Sequence, residues 1–414
     1  MLDNLLKIIS FIVFIFIDLY VYLRIFYREK LFRRPLIDQT PFKKLSINIS
    51  NAIHSVYELG DLNASSDKTI VMVGGIPTNP IESMTWLAKC LNDIDNSLRI
   101  IIFNMPFYES HNPIITENKY AETNGASIIN GKVFDYSKYK IDSRLSHKNQ
   151  SKTINLLMNR LNINSAHLVG HDRGAVILEN LCIDNPEKVI SYSRGSQVWD
   201  FVDPEWESLA PDILVGPPHK IMSSYHQLRI LMFSVLFINK PIHLLSESFK
   251  LKAKIAKKGT HLFDRYTHLK YKTQISYKRF AEKFKQSLSQ GGMHKEVENR
   301  ANLKNINIPI MQFQGEDEFA RDRKGTLISD QPYFGKYNLF KNEIEDIYPN
   351  ATDQTSVPIR KEFITDKGEY KEIKLKSDAT FKRFCIIPES AHFNVIENPA
   401  GCANAIYDFI KTRA

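Results

Sequence analysis

The stretch AHLVGHDRG, residues 166–174, constrains the fold more than any other part of this sequence. An apolar run leads into Gly170, and Gly174 comes two positions after Asp172, so the spacing is G-x-D-x-G. This spacing is typical of a strand that turns at once into a helix, where side chains two positions either side of the central residue would collide. We therefore expect Asp172 at the C-terminal edge of a sheet and at a helix N-terminus, where the helix dipole stabilises its charge. A carboxylate in this place is predicted to act as a nucleophile.

Segments of strand character and of helix character alternate on both sides of this turn. Strands are predicted within residues 46–59, 68–73, 99–103, 166–170, 189–193, 308–319 and 383–393, and helices within 81–91, 151–163, 174–186 and 402–411. Strand, helix and strand in alternation indicate parallel strands joined by right-handed crossovers. The sequence therefore predicts an α/β protein with a mostly parallel central sheet.

The alternation stops in two regions, which divide the chain. Residues 201–300 are dominated by helical patterns and are predicted to form a helical insertion between a first half of the core, 35–200, and a second half, 301–414. A smaller insertion is predicted at about 322–380, where a hairpin-like segment, EFITDKGEYKEIKL, occurs. The pattern thus indicates one large core that is interrupted twice.

The first 34 residues differ from the rest and are predicted to be a membrane anchor. Residues 8–27 are apolar over the length that a helix needs to cross about 30 Å of hydrocarbon, although Asp18 and Arg24 interrupt them. Basic residues on the C-terminal flank place the remaining chain in the cytoplasm by the positive-inside rule. The alternative is an amphipathic helix that lies in the membrane interface or docks on the domain. In either case a membrane is an expected partner.

Composition excludes several classes of protein. Of the 414 residues 43% are hydrophobic, which is enough for a sizeable core. The four cysteines lie far apart without a CxxC pair or a Cys/His cluster, so neither a disulfide framework nor a metal site is predicted. The net charge is +9, but no nucleic-acid-binding module accompanies the basic residues, and no nucleic acid partner is expected.

Four motifs follow one another along the chain: GGIP after the first buried strand, GHDRG at the turn, GEDE after a late strand and AHFNVIENP near the C-terminus. Over residues from about 46 to 414 they resemble the α/β-hydrolase superfamily, in its aspartate-nucleophile branch of epoxide hydrolases and haloalkane or haloacid dehalogenases. The resemblance implies an α/β-hydrolase fold in which residues 201–300 form a helical lid. It also implies a small-molecule substrate, an apolar epoxide or halide, and no cofactor.

The resemblance assigns catalytic roles to residues at the motif positions. It makes Asp172 the nucleophile that forms an ester with the substrate, and His392 the base that activates water to hydrolyse that ester. The backbone N–H groups of Ile76 and Arg173 match the positions of the oxyanion hole. The resemblance therefore implies a two-step hydrolysis at the end of the predicted sheet.

The acid that orients His392 is left with three candidates. The family places it three residues after a strand-ending glycine, which makes it Glu318, after Gly315. Asp317 is a close rival, and Asp200 is a third choice because some dehalogenases draw their acid from an earlier strand.

The chain departs from the family that it resembles in ways that bear on the substrate. Gly74 stands where the family has histidine, and Arg173 where epoxide hydrolases and many haloalkane dehalogenases have tryptophan. Tyr225 in the lid is a candidate for one of the tyrosines that protonate an opening epoxide ring. A halide cradle would have to draw on the three tryptophans of the chain, Trp86, Trp199 and Trp206. We therefore expect an epoxide before a carbon–halogen bond.

Two alternatives remain open at this point. Asp172 is either a nucleophile or a turn aspartate that caps the following helix. Accordingly, the chain is either a hydrolase or a non-catalytic hydrolase-fold module that binds a lipid or partner at the membrane. The occurrence of Asp172 together with His392 favours the enzyme.

Overall fold

The structure, a computed structural model, describes the chain around Asp172 and much of the predicted core. The described residues are 19, 23, 41–49, 52–75, 80–104, 120–122, 126–129, 132–135, 140–142, 147–196, 307–315, 353–360, 368–375, 382–388, 390 and 394–411. The predicted lid, residues 201–300, lies outside them.

Within these residues the chain forms fourteen strands. They are β1 (Lys43–Ile49), β2 (Ala52–Gly60), β3 (Thr69–Val73), β4 (Arg99–Phe103), β5 (Tyr120–Glu122), β6 (Ala126–Ile129), β7 (Lys132–Asp135), β8 (Lys140–Asp142), β9 (Ala166–His171), β10 (Val189–Gly195), β11 (Ile310–Gly315), β12 (Asp353–Arg360), β13 (Tyr370–Leu375) and β14 (Lys382–Ile387). The α-helices with described bounds are α1 (Pro80–Ile94), α2 (His147–Arg160), α3 (Arg173–Asp184), α4 (Asn394–Glu397) and α5 (Pro399–Lys411). Each strand and helix predicted from the alternating pattern is present, with its ends moved by a few residues.

Ten of the strands form one sheet. Their order is β1-β2-β4-β3-β9-β10-β11-β14-β13-β12. The six strands from β4 to β14 in this order are parallel to one another. At one edge β1 and β2 continue the sheet beyond β4 with antiparallel pairing, and at the other edge β13 and β12 do so beyond β14. The mostly parallel central sheet predicted from the sequence is therefore confirmed.

Helices cover both faces of this sheet. Ile70 and Met72 of β3 belong to a core cluster with side chains of α1 and α5, whereas Val71 between them is buried outside that cluster. Because side chains alternate across a strand, Val71 faces the other side of the sheet. There α2 packs against α3, and α3 contacts β3 and β9. The central strands are thus buried on both faces, which explains their continuous apolar sequences.

Two groups of strands did not follow from the sequence pattern. Between β4 and α2, strand β5 pairs with β8 and β6 pairs with β7. In the region predicted as a smaller insertion, β12 pairs with β13, and β13 pairs with β14. The segment described above as hairpin-like contains only the second of these strands, β13, and its partner β12 lies earlier in the chain. Strands β12 and β13 therefore extend the main sheet at its edge.

The predicted membrane anchor lies outside the described residues apart from Leu19 and Leu23. Both leucines are helical, and 51% and 53% of their surfaces are exposed. In the described part of the chain, no helix is long and apolar enough to cross a membrane.

A buried histidine joins three elements of the core. His167 of β9 lies between the Ser191 hydroxyl, 2.7 Å from Nδ1, and the Asp67 carbonyl oxygen, 3.0 Å from Nε2. Because a carbonyl only accepts, Nε2 carries the proton and Nδ1 accepts a hydrogen bond from Ser191. Burial lowers the pKa of His167 to about 4, against attraction from Asp67. The ring is therefore neutral in the folded protein near pH 7.

We expect the free energy of unfolding to fall as the pH is lowered from 7 to 5.5. In the folded protein the pKa of His167 is about 4, whereas in the unfolded chain it is the ordinary 6.5. Below pH 6.5 the unfolded chain therefore binds a proton that the folded protein does not, and this binding stabilises the unfolded state. The expected loss is about 1 kcal/mol for each such histidine over this interval, measured by urea unfolding at several pH values.

The replacement His167→Gln should flatten this pH dependence. Ser191→Ala removes the hydroxyl partner and keeps the imidazole, so it should lower stability at every pH while leaving the slope intact. Equal slopes in the wild type and His167→Gln would contradict the interpretation.

Candidate active site at the end of the central sheet

Asp172 lies at the turn between β9 and α3. Its φ of 50° and ψ of −128° belong to a region that residues with side chains rarely occupy, at a cost of about 1–3 kcal/mol. The Asp172 N–H donates to the Gly195 carbonyl at 2.9 Å, and the Ala175 N–H donates to the Asp172 carbonyl at 2.9 Å. The predicted strand-to-helix turn at Asp172 is therefore confirmed, and backbone hydrogen bonds hold it on both sides.

The two glycines that flank Asp172 are required by close contacts. A Cβ atom on Gly170 would lie 2.4 Å from the Cα atom of Ala175. A Cβ atom on Gly174 would lie 2.1 Å from the carbonyl oxygen of Val73. Both distances are far inside van der Waals contact, so any larger residue would push α3 away from the sheet. The steric reason inferred for the G-x-D-x-G spacing is confirmed.

Gly75 brings the chain that follows β3 against the Asp172 carboxyl group. A Cβ atom on Gly75 would lie 2.3 Å from both Cβ and Oδ2 of Asp172. The sequence marks Gly74 as a departure from the family that the chain resembles, but it does not indicate this contact of Gly75. The next residue, Ile76, is the predicted oxyanion donor and lies outside the described residues. The contact at Gly75 shows that the loop begins beside the carboxylate.

The Asp172 side chain is placed at the N-terminus of α3. It is 7% exposed, and its neighbour Arg173 is 6% exposed. Asp172 makes no side-chain capping hydrogen bond to the helix, so the alternative of a helix-capping aspartate is not supported. The dipole of this 12-residue helix favours a negative charge at this end. Arg173 is the first helical residue, where backbone N–H groups have no partner within the helix.

His147 is a second titratable group near Asp172. It is the first residue of α2, and it is 4% exposed. Burial and, to a smaller extent, the Arg173 charge lower its pKa to about 3, and the Asp172 charge opposes this shift. His147 therefore interacts with both residues of the turn as a neutral imidazole.

Side chains of strand β10 bind helix α3 by a hydrogen bond and an ion pair. The Tyr192 hydroxyl donates to the Ala175 carbonyl at 2.7 Å, and burial raises the pKa of Tyr192, which keeps it a neutral donor. Arg194 Nε lies 3.3 Å from Glu179 Oε2, and both side chains are fully buried. Breaking such a pair by removing one partner is strongly destabilising, because the other charge stays buried. The polar side chains of β10 thus hold α3, and with it the turn.

The end of β10 also connects the turn to the segment that follows His392. Ser196 has a φ of 50° and accepts a hydrogen bond from Asn394 Nδ2 at 2.9 Å. Both side chains are buried, and Ser196 is adjacent to Gly195, whose carbonyl binds the Asp172 N–H. Asn394, two residues after His392, is therefore joined to the turn through the end of β10.

The other residues predicted for the site lie outside the described residues. They are Ile76, Asp200, Tyr225, Asp317, Glu318 and His392. Asp317 and Glu318 follow β11, and His392 lies between β14 and α4. Because β9, β10, β11 and β14 are neighbouring parallel strands, their carboxyl ends meet at the edge that carries Asp172. The roles of these residues remain predictions.

Three residues near Asp172 were missed by sequence reasoning: His147, Ser196 and Asn394. His147 and Ser196 belong to no motif. Asn394 falls within AHFNVIENP, but an asparagine at the start of a helix is most simply explained as a cap. Within the described residues no three His, Cys, Asp or Glu side chains are grouped to hold a metal ion, and all four cysteines are buried free thiols.

Neither a protein-family model nor a curated protein sequence matches the chain. Solved structures do. The epoxide hydrolase VrEH1 from Vigna radiata has a TM-score of 0.53 at 15% identity, covering 91% of this chain and 99% of that one. Cfl2 from Burkholderia cenocepacia has a TM-score of 0.52 at 14% identity, covering 90% and 97%. The DbeA-M1 loop variant of a haloalkane dehalogenase from Bradyrhizobium elkanii has a TM-score of 0.49 at 12% identity, covering 90% and 98%.

At such low identities the likeness concerns the fold alone. Together with the mostly parallel sheet of this chain, it supports the α/β-hydrolase fold.

Proposed function

We propose that the protein is a hydrolase that opens epoxides through an ester formed on Asp172. The observation that carries the proposal is the strained backbone of Asp172, which presents a carboxylate at the end of the central sheet and at the N-terminus of α3. Strain of this kind persists only where the surrounding structure maintains it, and it clusters at active sites. The fold likeness to an epoxide hydrolase supports the same reading.

The proposed reaction consumes one epoxide and one water and releases a diol. A carboxylate oxygen of Asp172 attacks an epoxide carbon, the carbon–oxygen bond of the ring breaks, and Tyr225 of the lid donates a proton to the leaving oxygen. His392 then takes a proton from water, and the hydroxide attacks the carbonyl carbon of the ester. The ester carbon–oxygen bond breaks, the departing alkoxide takes the proton of the Asp172 carboxyl group to complete the diol, and the proton on His392 returns to Tyr225. The N–H groups of Ile76 and Arg173 stabilise the oxyanion of this second step.

A dehalogenase with the same nucleophile is the second candidate function. Halide ions in such enzymes need a cradle of donors, for which the chain offers three tryptophans. One of them, Trp86 on α1, is half-buried and packs against the hydrophobic core. Its part in core packing leaves Trp199 and Trp206, both outside the described residues, for a halide. This observation favours the epoxide.

We also propose that residues 8–27 anchor the enzyme to a membrane with the catalytic domain in the cytoplasm. Leu19 and Leu23 are both helical and four positions apart, a spacing that puts two side chains on one face of a helix, and about half of each is exposed. An exposed leucine pair within an apolar segment of this length suits contact with lipid. A membrane location would give the enzyme access to apolar epoxides.

The two proposed steps can be separated by removing one residue at a time. Asp172→Asn should abolish turnover of an epoxide such as styrene oxide without forming an adduct, because an amide is a poor nucleophile. His392→Gln should react once and then stall. Intact-mass spectrometry should detect the added mass of the epoxide, and proteolysis should locate it in the peptide that contains GHDRG.

A single turnover in ¹⁸O-labelled water provides the control with the wild-type protein. Label should enter Asp172, since water attacks the ester carbonyl. Label in the diol with Asp172 unlabelled would mean that water attacks the epoxide directly. A His392→Gln protein that forms no adduct with epoxides or haloalkanes would favour the non-catalytic binding module.

Amide substitutions should identify the acid that orients His392. The true partner orients the imidazole and stabilises its cation. Its removal should therefore slow ester hydrolysis by roughly 10⁴-fold, as in serine enzymes. We expect this loss for Glu318→Gln and a milder one for Asp317→Asn, in single-turnover measurements. The reverse ranking would assign the role to Asp317, and indifference to both would assign it to Asp200.

Truncation and glycosylation test the anchor. Deleting residues 1–34 should move the protein from the membrane to the soluble fraction of a lysate without loss of folding. Asn48 and Asn63 are exposed and begin Asn-x-Ser sequons, so they should stay unmodified when the full chain is translated with microsomes. Glycosylation that disappears in Asn63→Gln would contradict the proposed orientation.

A further inference from the structure

The imidazole of His147 is buried without hydrogen-bond partners. Among the residues that the structure describes, neither Nδ1 nor Nε2 has a partner, and the side chain is 4% exposed. Buried polar atoms in folded proteins are nearly always hydrogen-bonded, because leaving a donor or acceptor unpaired forfeits its interaction with water. A histidine with both ring nitrogens unpaired calls for a physical reason.

The position of His147 indicates what that reason is. His147 is the first residue of α2, and α2 packs against α3, which begins at Arg173. The charges of Arg173 and Asp172 both act on the pKa of the His147 ring. His147 is thus part of the surroundings of the proposed nucleophile.

The charge state of the ring limits what it can bind. Burial and the neighbouring Arg173 keep the imidazole neutral. A neutral imidazole offers one N–H donor and one nitrogen acceptor. A hydroxyl group can use either of them, because it donates and accepts, whereas a carboxylate can use only the donor and would be repelled by Asp172. The complementary group is therefore an uncharged hydroxyl.

We propose that His147 is a substrate-binding residue whose imidazole hydrogen-bonds a hydroxyl group next to the carbon that Asp172 attacks. This inference rests on the proposed function and deepens it, because it makes the preferred substrate a hydroxyl-bearing epoxide instead of a purely apolar one. In the substrate complex the hydroxyl supplies the partner that the protein itself does not provide to His147.

The test compares two epoxides of nearly the same shape. Glycidol carries a hydroxyl where 1,2-epoxybutane carries a methyl group. The wild-type kcat/KM should favour glycidol by roughly tenfold to hundredfold, since the apolar analogue leaves the buried ring unpaired. His147→Phe should abolish this preference, so that the ratio of kcat/KM for glycidol to kcat/KM for 1,2-epoxybutane falls to about one.

A second variant and a binding measurement make the result independent of folding and of catalysis. His147→Gln keeps a donor and an acceptor, so it should retain part of the preference. In Asp172→Asn, which cannot react, glycidol should shift the ring ¹⁵N signals of His147 in NMR spectra, and 1,2-epoxybutane at the same concentration should not. A loss of stability alone would lower both rates and leave their ratio unchanged.

The outcomes separate this inference from the proposed function. Equal ratios in the wild type, His147→Phe and His147→Gln, with turnover intact, would overturn the role of His147 and leave the hydrolase standing. Absence of any turnover, together with a glycidol-specific shift of the His147 signals, would overturn the hydrolase and support the hydroxyl-binding site. Unchanged His147 signals with both epoxides would overturn the site.

Discussion

The close approach of α3 to β3 is the contact on which the rest of the candidate site depends. At Gly174 the helix lies so near the sheet that a Cβ atom would stand 2.1 Å from the Val73 carbonyl oxygen. This approach allows the chain to pass from β9 into α3 within one residue, and that residue is Asp172. The carboxylate is consequently presented at the sheet edge, and the backbone of Asp172 bears the strain.

Polar side chains on the neighbouring strand maintain this arrangement. Tyr192 and Arg194 of β10 bind Ala175 and Glu179 of α3, and all of these groups are buried. Hydrogen bonds and ion pairs in such surroundings are directional, so they restrict α3 to one position more tightly than apolar contacts do. Such a restriction matters at a site where small displacements of a reacting group change rates by large factors.

Much of the fold could be predicted from the sequence, because its central elements carry local signals. The parallel strands are buried on both faces and read as continuous apolar runs, and the helices between them have apolar positions at helical spacing. The short strands β5–β8 and the edge strand β12 were not predicted. They have no such runs, and their conformation depends on pairing with a partner strand.

By itself the sequence determined that Asp172 stands at a strand-to-helix turn in a parallel sheet. Glycines at fixed spacing and apolar periodicity describe local conformation, and both can be read without knowing what lies nearby in space. Only the tertiary structure decided that Gly75 abuts the Asp172 carboxyl group, that Asn394 binds Ser196 and that His147 is buried beside the turn. Burial and pairing of single polar side chains depend on residues brought together by folding, so no pattern along the chain indicates them.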